Sequence, residues 1–172
     1  MSARTGDPDS GGTGASSTGR ALAALDSAGV AYRVIRHGPV RSLVEAAAAR
    51  GVAPVDVVKT LVVRRGEDDF LFVLVPGDRT ISWPKLRGLL GVSRLSMPDA
   101  EAARAATGYE RGTITPFGST ITWPVVADER LAGRRVTLGA GEHDVAVAVD
   151  ADAVVAALQA TVADVTDPEP AR

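Results

Sequence analysis

The chain has 172 residues, 45% of them hydrophobic and 23% charged, the size and composition of one folded domain with a real core and no room for two. A net charge of −2 excludes a uniformly basic nucleic-acid binder, so any polyanion would have to meet a local patch. The absence of cysteine excludes disulfides, thiolate metal sites and a cysteine nucleophile, and two histidines, His37 and His143, argue against a multi-histidine metal centre. No apolar run reaches the roughly 18–20 residues of a transmembrane helix and no signal-peptide core is evident, which makes the cytoplasm the default expectation and a membrane partner unexpected.

In chain order, residues 1–18 are small, polar and glycine-rich, a composition that predicts a disordered tail. The folded domain is expected over 19–166, with 167–172 as a frayed end. Leu22 and Leu25 at helical spacing predict a helix from Arg20 to Ala28 stopped by Gly29, followed by a strand over Val30 to Ile35. Ser42 with Glu45 three residues later forms a capping box opening an alanine-rich helix that ends near Gly51. After Pro54 comes a β-branched run, Val55 to Val63, which a turn over Arg64 to Asp69 joins to Phe70 to Val75 as an antiparallel hairpin. Ser82 is placed to cap a short helix with Pro84 in its first turn and Gly91 at its end. Another helix is expected from Pro98 to Ala106, with Gly108 beyond it. Gly108 to Gly118 reads as an ordered loop. Strands then follow at Val125 to Ala127, Arg135 to Leu138 and Asp144 to Val149, the last leading into a helix from Ala151 to Ala160. Helices mixed with hairpins and crossovers predict an α/β (mixed α+β) single domain with a curved mixed β-sheet flanked by helices.

Lys59 stands out because the chain carries its positive charge on arginine, and its only other lysine is Lys85. Strand alternation puts Val57, Lys59, Leu61 and Val63 on one face and Val58, Thr60 and Val62 on the other, so the ammonium shares a face with hydrocarbon. Such a lysine snorkels to water, finds an anionic partner, or lines a pocket that receives an anion or developing negative charge. Position in the strand leaves these open.

Phosphate-cradling glycine loops, dinucleotide fingerprints, nucleophile elbows and zinc clusters are all missing from the sequence. Three segments remain: the Val58-Lys59-Thr60-Leu61-Val62-Val63 strand, the Gly112-Thr113-Ile114-Thr115-Pro116 loop, and the turn Gly139-Ala140-Gly141-Glu142-His143-Asp144. In this order and at these distances they resemble the YbaK-type aminoacyl-tRNA deacylases and the related editing domain inserted in bacterial prolyl-tRNA synthetases, over about Leu22 to Val165. The resemblance implies a trans-editing enzyme that hydrolyses the ester of a mischarged tRNA carrying a small amino acid such as Cys, Ala or Ser, on a tRNA-Pro for instance. It implies Lys59 as the catalytic residue and Thr60, Gly108, Tyr109, Gly112, Thr113, Ile114, Thr115, Pro116, Phe117, Gly118, Gly139, Gly141 and His143 as substrate-binding positions. It implies no metal or organic cofactor. The expected partner is the acceptor end of an aminoacyl-tRNA, with an aminoacyl-tRNA synthetase as a further one and a monomer as the default state.

Physical chemistry agrees with that assignment. Ester hydrolysis builds negative charge on the carbonyl oxygen, which a fixed cation in a poorly hydrated site stabilises. A glycine loop exposes backbone groups without a side chain in the way. His143 could orient water or serve as a hydrogen-bonded surface group, His37 sits in a turn beside Gly38-Pro39, and Tyr109 and Phe117 could pack the loop or stack on a base. Acceptor-stem contacts would come from among Arg33, Arg36, Arg41, Arg64, Arg65, Arg79, Lys85, Arg87, Arg111, Arg134 and Arg135. Two alternatives stay open: a catalytically silent aminoacyl- or nucleotide-binding module of the same fold, and a small-ester hydrolase without tRNA.

Overall fold

The computed structural model describes residues 16–170, so most of the expected N-terminal tail lies outside the described residues. Where that tail was expected to run through Thr18, Ser16 instead caps a helix, α1 (Ser17–Ser27), by accepting a hydrogen bond from Gly19 N–H at 2.9 Å. Strand β1 (Tyr32–Arg36) follows, starting two residues later than the apolar pattern suggested. Helix α2 (Leu43–Arg50) opens on the capping box: Ser42 Oγ accepts from Glu45 N–H at 3.1 Å, and the Glu45 carboxylate turns back to Arg41 N–H at 2.7 Å. Gly51, in the left-handed region at φ 72°, ends it as glycine does at a helix C-terminus.

A 3₁₀ turn at Pro54–Asp56 leads into the hairpin of β2 (Val58–Gly66) and β3 (Asp69–Pro76), in which Lys59 faces Val75 and Thr60 faces Leu74. β3 is buried on both faces. Phe70, Phe72 and Leu74 pack into a large core with Val58, Val62 and residues of α1, while Leu71, Val73 and Val75 join Val63 and Ile81 in a second core. Gly77 follows β3 so closely against the 3₁₀ turn that a Cβ there would collide with the Pro54 carbonyl oxygen and lie 2.8 Å from Leu43 Cδ2.

Strand β4 (Arg79–Ile81) precedes α3 (Trp83–Leu90), which Ser82 caps with Pro84 in its first turn. The next helix, α4 (Ala100–Thr107), begins later than expected. Asp99 caps it through Ala102 N–H at 2.8 Å, which leaves Pro98 outside it. β5 (Val125–Asp128), β6 (Arg135–Gly139), β7 (Val145–Asp150) and α5 (Ala151–Leu158) complete the expected order. Two short strands were not foreseen, β8 (Thr161–Ala163) and β9 (Thr166–Pro168). β9 pairs antiparallel with β4, so Asp167 and Pro168 form a ladder where a frayed end was expected.

The strands run in the orders β1-β7-β6 and β2-β3-β5-β8, the second mixing an antiparallel hairpin with parallel pairs, and one parallel bridge between Val57 and Thr137 joins the two sets. The mixed α/β single domain that the sequence predicts is present, with its strands divided among three sheets where one was expected. Val57 bridges to Thr137 and Arg64 to Ser96, and between these two points the outer edge of β2 is uncovered.

Candidate functional site

The uncovered edge of β2 is the floor of a cleft of about 540 Å3, the size of a small-ligand site. Its walls come from Val58 to Val62 on the floor, Leu43, Ala46 and Arg50 of α2, Met97, Pro98, Ala100 and Ala103 around the start of α4, and Gly112, Ile114 and Gly139 opposite. The strand pleat accounts for its polar character: Arg64 exchanges backbone hydrogen bonds with Ser96 at 2.7 and 3.1 Å across the outer edge. Residues of the same parity, Thr60 and Val62, therefore turn their backbone N–H and C=O groups toward the cleft.

Among the described residues, four cations line it, Arg41, Arg50, Lys59 and Arg111, and no carboxylate does. In a chain of net charge −2 that segregation is a property of the site rather than of the composition. Lys59 is half-buried, and its Nζ donates to the Arg79 carbonyl oxygen in β4. Burial pushes its ammonium below the ordinary lysine pKa, while the carboxylates of Glu169 and Asp78 oppose the shift and favour the charged form. The neighbouring Thr60 Oγ1 is buried without a hydrogen-bond partner. Among the described residues Arg41, Arg50 and Arg111 form no salt bridge.

The glycine loop and the glycine turn meet opposite β2. Gly141 N–H donates to the Thr113 carbonyl oxygen at 3.0 Å, and a Cβ on Gly139 would sit 3.6 Å from the Ile114 carbonyl oxygen. Gly112 has φ +89°, a conformation that side-chain-bearing residues rarely adopt, and a Cβ there would lie 3.6 Å from His143 Cε1. A second, smaller pocket of about 380 Å3 lies beyond this contact, lined by Gly108, Thr113, Gly141 and His143 together with Arg104, Glu110 and Glu142. Its charges are mixed, and His143 Nε2 lies 3.7 Å from Glu110 Oε2.

Of the positions singled out in the sequence, the structure therefore brings Lys59, Thr60, Gly112, Ile114 and Gly139 together in the main cleft and Gly108, Thr113, Gly141 and His143 in the pocket beside it. The rest line neither pocket. Tyr109 is 1% exposed and donates its hydroxyl to the Phe117 carbonyl oxygen at 2.7 Å, with the Arg20 guanidinium 4.9 Å over its ring. Thr115 and Phe117 are buried, and neither they nor Pro116 and Gly118 line either pocket. A Cβ on Gly118 would lie 2.5 Å from Tyr109 Oη, so that glycine serves the loop's own packing.

Among the arginines considered for tRNA contact, only Arg41 and Arg111 line the cleft. Arg65, Arg134 and Arg135 are ion-paired with Asp69, Asp56 and Asp150, Lys85 with Asp164 and Asp167, and Arg79 donates to Thr166. Arg50 was not singled out at all. It sits at the last position of an alanine-rich helix, where a cation reads as an ordinary helix-end charge, and its partner, Thr137, lies 87 residues away.

The chain is a mixed-sheet domain with a cation-lined cleft at an open strand edge. Residues 37–157 match the sequence profile of the family described as the aminoacyl-tRNA editing domain, and the chain belongs to that family. It is 37% identical over 110 residues to a proline–tRNA ligase of Heliobacterium modesticaldum, covering 62% of this chain and 19% of the ligase. A proline–tRNA ligase of Thermosipho africanus is 36% identical over 80 residues, covering 46% of this chain and 14% of the ligase. The chain thus spans less than a fifth of the length of these relatives. A crystal structure of a protein proposed as a trans-editing enzyme for prolyl tRNA synthetase superposes with a TM-score of 0.82 at 28% identity, covering 90% of this chain and 99% of that one. That of hypothetical protein APE2540 gives 0.79 at 27% identity, over 86% and 99%. No helix among the described residues is long and apolar enough to cross a membrane.

Proposed function

We propose that the chain is a trans-editing deacylase, hydrolysing the ester that joins a small, uncharged amino acid to the 3′-terminal adenosine of a mischarged tRNA such as tRNA-Pro. The observation that carries this reading is a cleft holding cations and apolar walls and, among the described residues, not a single carboxylate. Such a cleft repels a cationic acyl side chain and favours a reaction that develops negative charge.

In the reaction, water adds to the ester carbonyl carbon and the carbonyl oxygen becomes an oxyanion. As the water adds, it gives one proton to solvent; the bond to the ribose oxygen then breaks, that oxygen takes the water's second proton, and the amino acid leaves as a carboxylate. Lys59 stabilises the oxyanion. The Arg79 carbonyl oxygen accepts one of its three N–H bonds and holds the ammonium in place, leaving donors for the substrate. Thr60, through its edge backbone carbonyl, offers an acceptor for the amino acid's ammonium. Among the described residues no histidine, aspartate or glutamate lines the main cleft, so rate enhancement comes from positioning and electrostatics rather than from a dedicated base there.

Deacylation of tRNA-Pro charged with Ala, Cys, Ser or Pro, and of matching small esters, tests the reading. Turnover of a small noncognate aminoacyl-tRNA above the uncatalysed rate supports it. Binding without turnover, or turnover of small esters alone, would overturn it in favour of a binding module or a general esterase.

A further inference from the structure

The main cleft contains a cation that the chemistry at Lys59 does not use. Arg50 reaches from the end of α2 to the point where β2 and β6 part, and its Nη1 donates to the buried Thr137 Oγ1 at 3.1 Å. Its Nε is buried without a hydrogen-bond partner, and no carboxylate pairs with it among the described residues. Leaving a guanidinium N–H unpaired away from water is unfavourable, and a side chain that serves only packing would be replaced by an apolar one without loss. Arg130, by contrast, divides its guanidinium between Asp128 and Asp164. One nitrogen of Arg50 is thus anchored and the adjoining N–H edge is left over.

We propose that Arg50 is a substrate-binding residue of the cleft whose free guanidinium edge receives the phosphodiester attached to the terminal adenosine of the tRNA. This rests on the deacylase reading above. A guanidinium fork suits an anion with two oxygens, either phosphate or carboxylate. An ester-linked small amino acid has no free carboxylate, because its carboxyl group is the ester itself. The phosphodiester is then the anion such a substrate brings to the cleft. Burial, which pushes the Arg50 guanidinium below its ordinary pKa, shows the charge to be poorly hydrated, a condition under which an incoming anion is bound more strongly. Arg41 and Arg111 line the same cleft and carry exposed side chains, so the following phosphates would find cations in reach.

The test compares substrates with and without the phosphate. For Arg50→Met, the KM for aminoacyl-tRNA should rise at least about tenfold with kcat nearly unchanged, the loss expected for one charge-assisted contact made equally in ground and transition states. Activity on aminoacyl-adenosine, which has no phosphate, should stay at the wild-type level. Arg50→Lys, which keeps the charge but not the fork, should fall between and guards against a folding defect in the methionine variant. Equal losses on both substrates, or none on either, would overturn the proposal. A loss confined to tRNA bearing an aspartyl group would assign Arg50 to an acyl carboxylate and overturn it too. Binding of adenosine 5′-monophosphate against adenosine separates this proposal from the deacylase reading. A wild-type preference for the monophosphate that Arg50→Met erases supports the phosphate site even if no ester is hydrolysed, and no preference contradicts it.

Discussion

The two lysines of the chain sit in opposite electrostatic surroundings. Lys85, on α3, is ion-paired to Asp164 at 3.1 Å and Asp167 at 3.3 Å and donates to the Thr166 carbonyl oxygen at 3.0 Å, and these carboxylates raise its pKa. It belongs to a corner in which each charge is answered. Arg130 links Asp128 to Asp164, and the fully buried Asp128 carboxylate accepts from Val165 N–H and the Thr166 hydroxyl, tying β5 to β9. Lys59, on β2, has among the described residues only a carbonyl oxygen as its side-chain hydrogen-bond partner, and burial lowers its pKa. Saturated charges hold the fold, whereas the cleft keeps cations and a hydroxyl that the protein itself does not satisfy.

The largest effect that would break this contrast is on turnover. Lys59→Met should lower the deacylation rate at least about a hundredfold, the scale of losing one oxyanion-stabilising donor. Its melting temperature should be unchanged or higher, because no buried carboxylate is stranded. A low melting temperature would make Lys59 a structural tether between β2 and β4. In the paired corner the expectation is reversed: Asp128→Ala, by orphaning Val165 N–H and the Thr166 hydroxyl beside Arg130, should cost about 3 kcal/mol in denaturant unfolding while the folded fraction retains its kinetics.

Gly112→Val sharpens the boundary of the cleft. A β-branched residue at φ +89° next to His143 should reduce turnover about tenfold through a displaced loop, and full activity would make the loop mere scaffolding. Smaller still are the pH effects. Asp164 is held at about 2, below its ordinary 3.8, so its contribution to stability is present above 3.8 and is lost as pH falls toward 2. The contribution of Lys85 is complete below 10.5 and lost as pH rises through its raised value. Lys59 has the opposite sign: the folded state binds fewer protons between its lowered pKa and 10.5, so stability rises with pH across that window. Unfolding curves of the Lys59→Met and Lys85→Met variants across alkaline pH would show these terms vanish one at a time.

Local signals carried most of the fold into the sequence. Ser42, Ser82, Gly51, Gly91 and Gly108 act at helix ends through groups a few residues away, and the β2–β3 hairpin follows from alternation. The misses are non-local or involve competition between neighbours. Asp99 provides the side-chain acceptor that Pro98 lacks, which moves the start of α4, and β9 exists only because β4 offers it an edge. Within the candidate site, Lys59 was conspicuous as an ammonium among valines. Arg50 was not, since its significance depends on Thr137 arriving from a distant strand. Tyr109 and Phe117 belong to a loop whose chemistry is legible, but only the tertiary fold shows that they turn inward to bond each other.

Because the chain contains two lysines, one spectrum can test the contrast directly. Protein labelled with 13C at the lysine Cε should give two side-chain signals, assigned with the Lys59→Met and Lys85→Met variants and followed through alkaline pH with and without a non-hydrolysable aminoacyl-adenosine amide. The Lys59 signal should titrate below 10.5 and the Lys85 signal above it, and only Lys59 should shift when the analogue binds. Two signals that titrate together, or an analogue that binds while leaving Lys59 unmoved, would contradict the contrast.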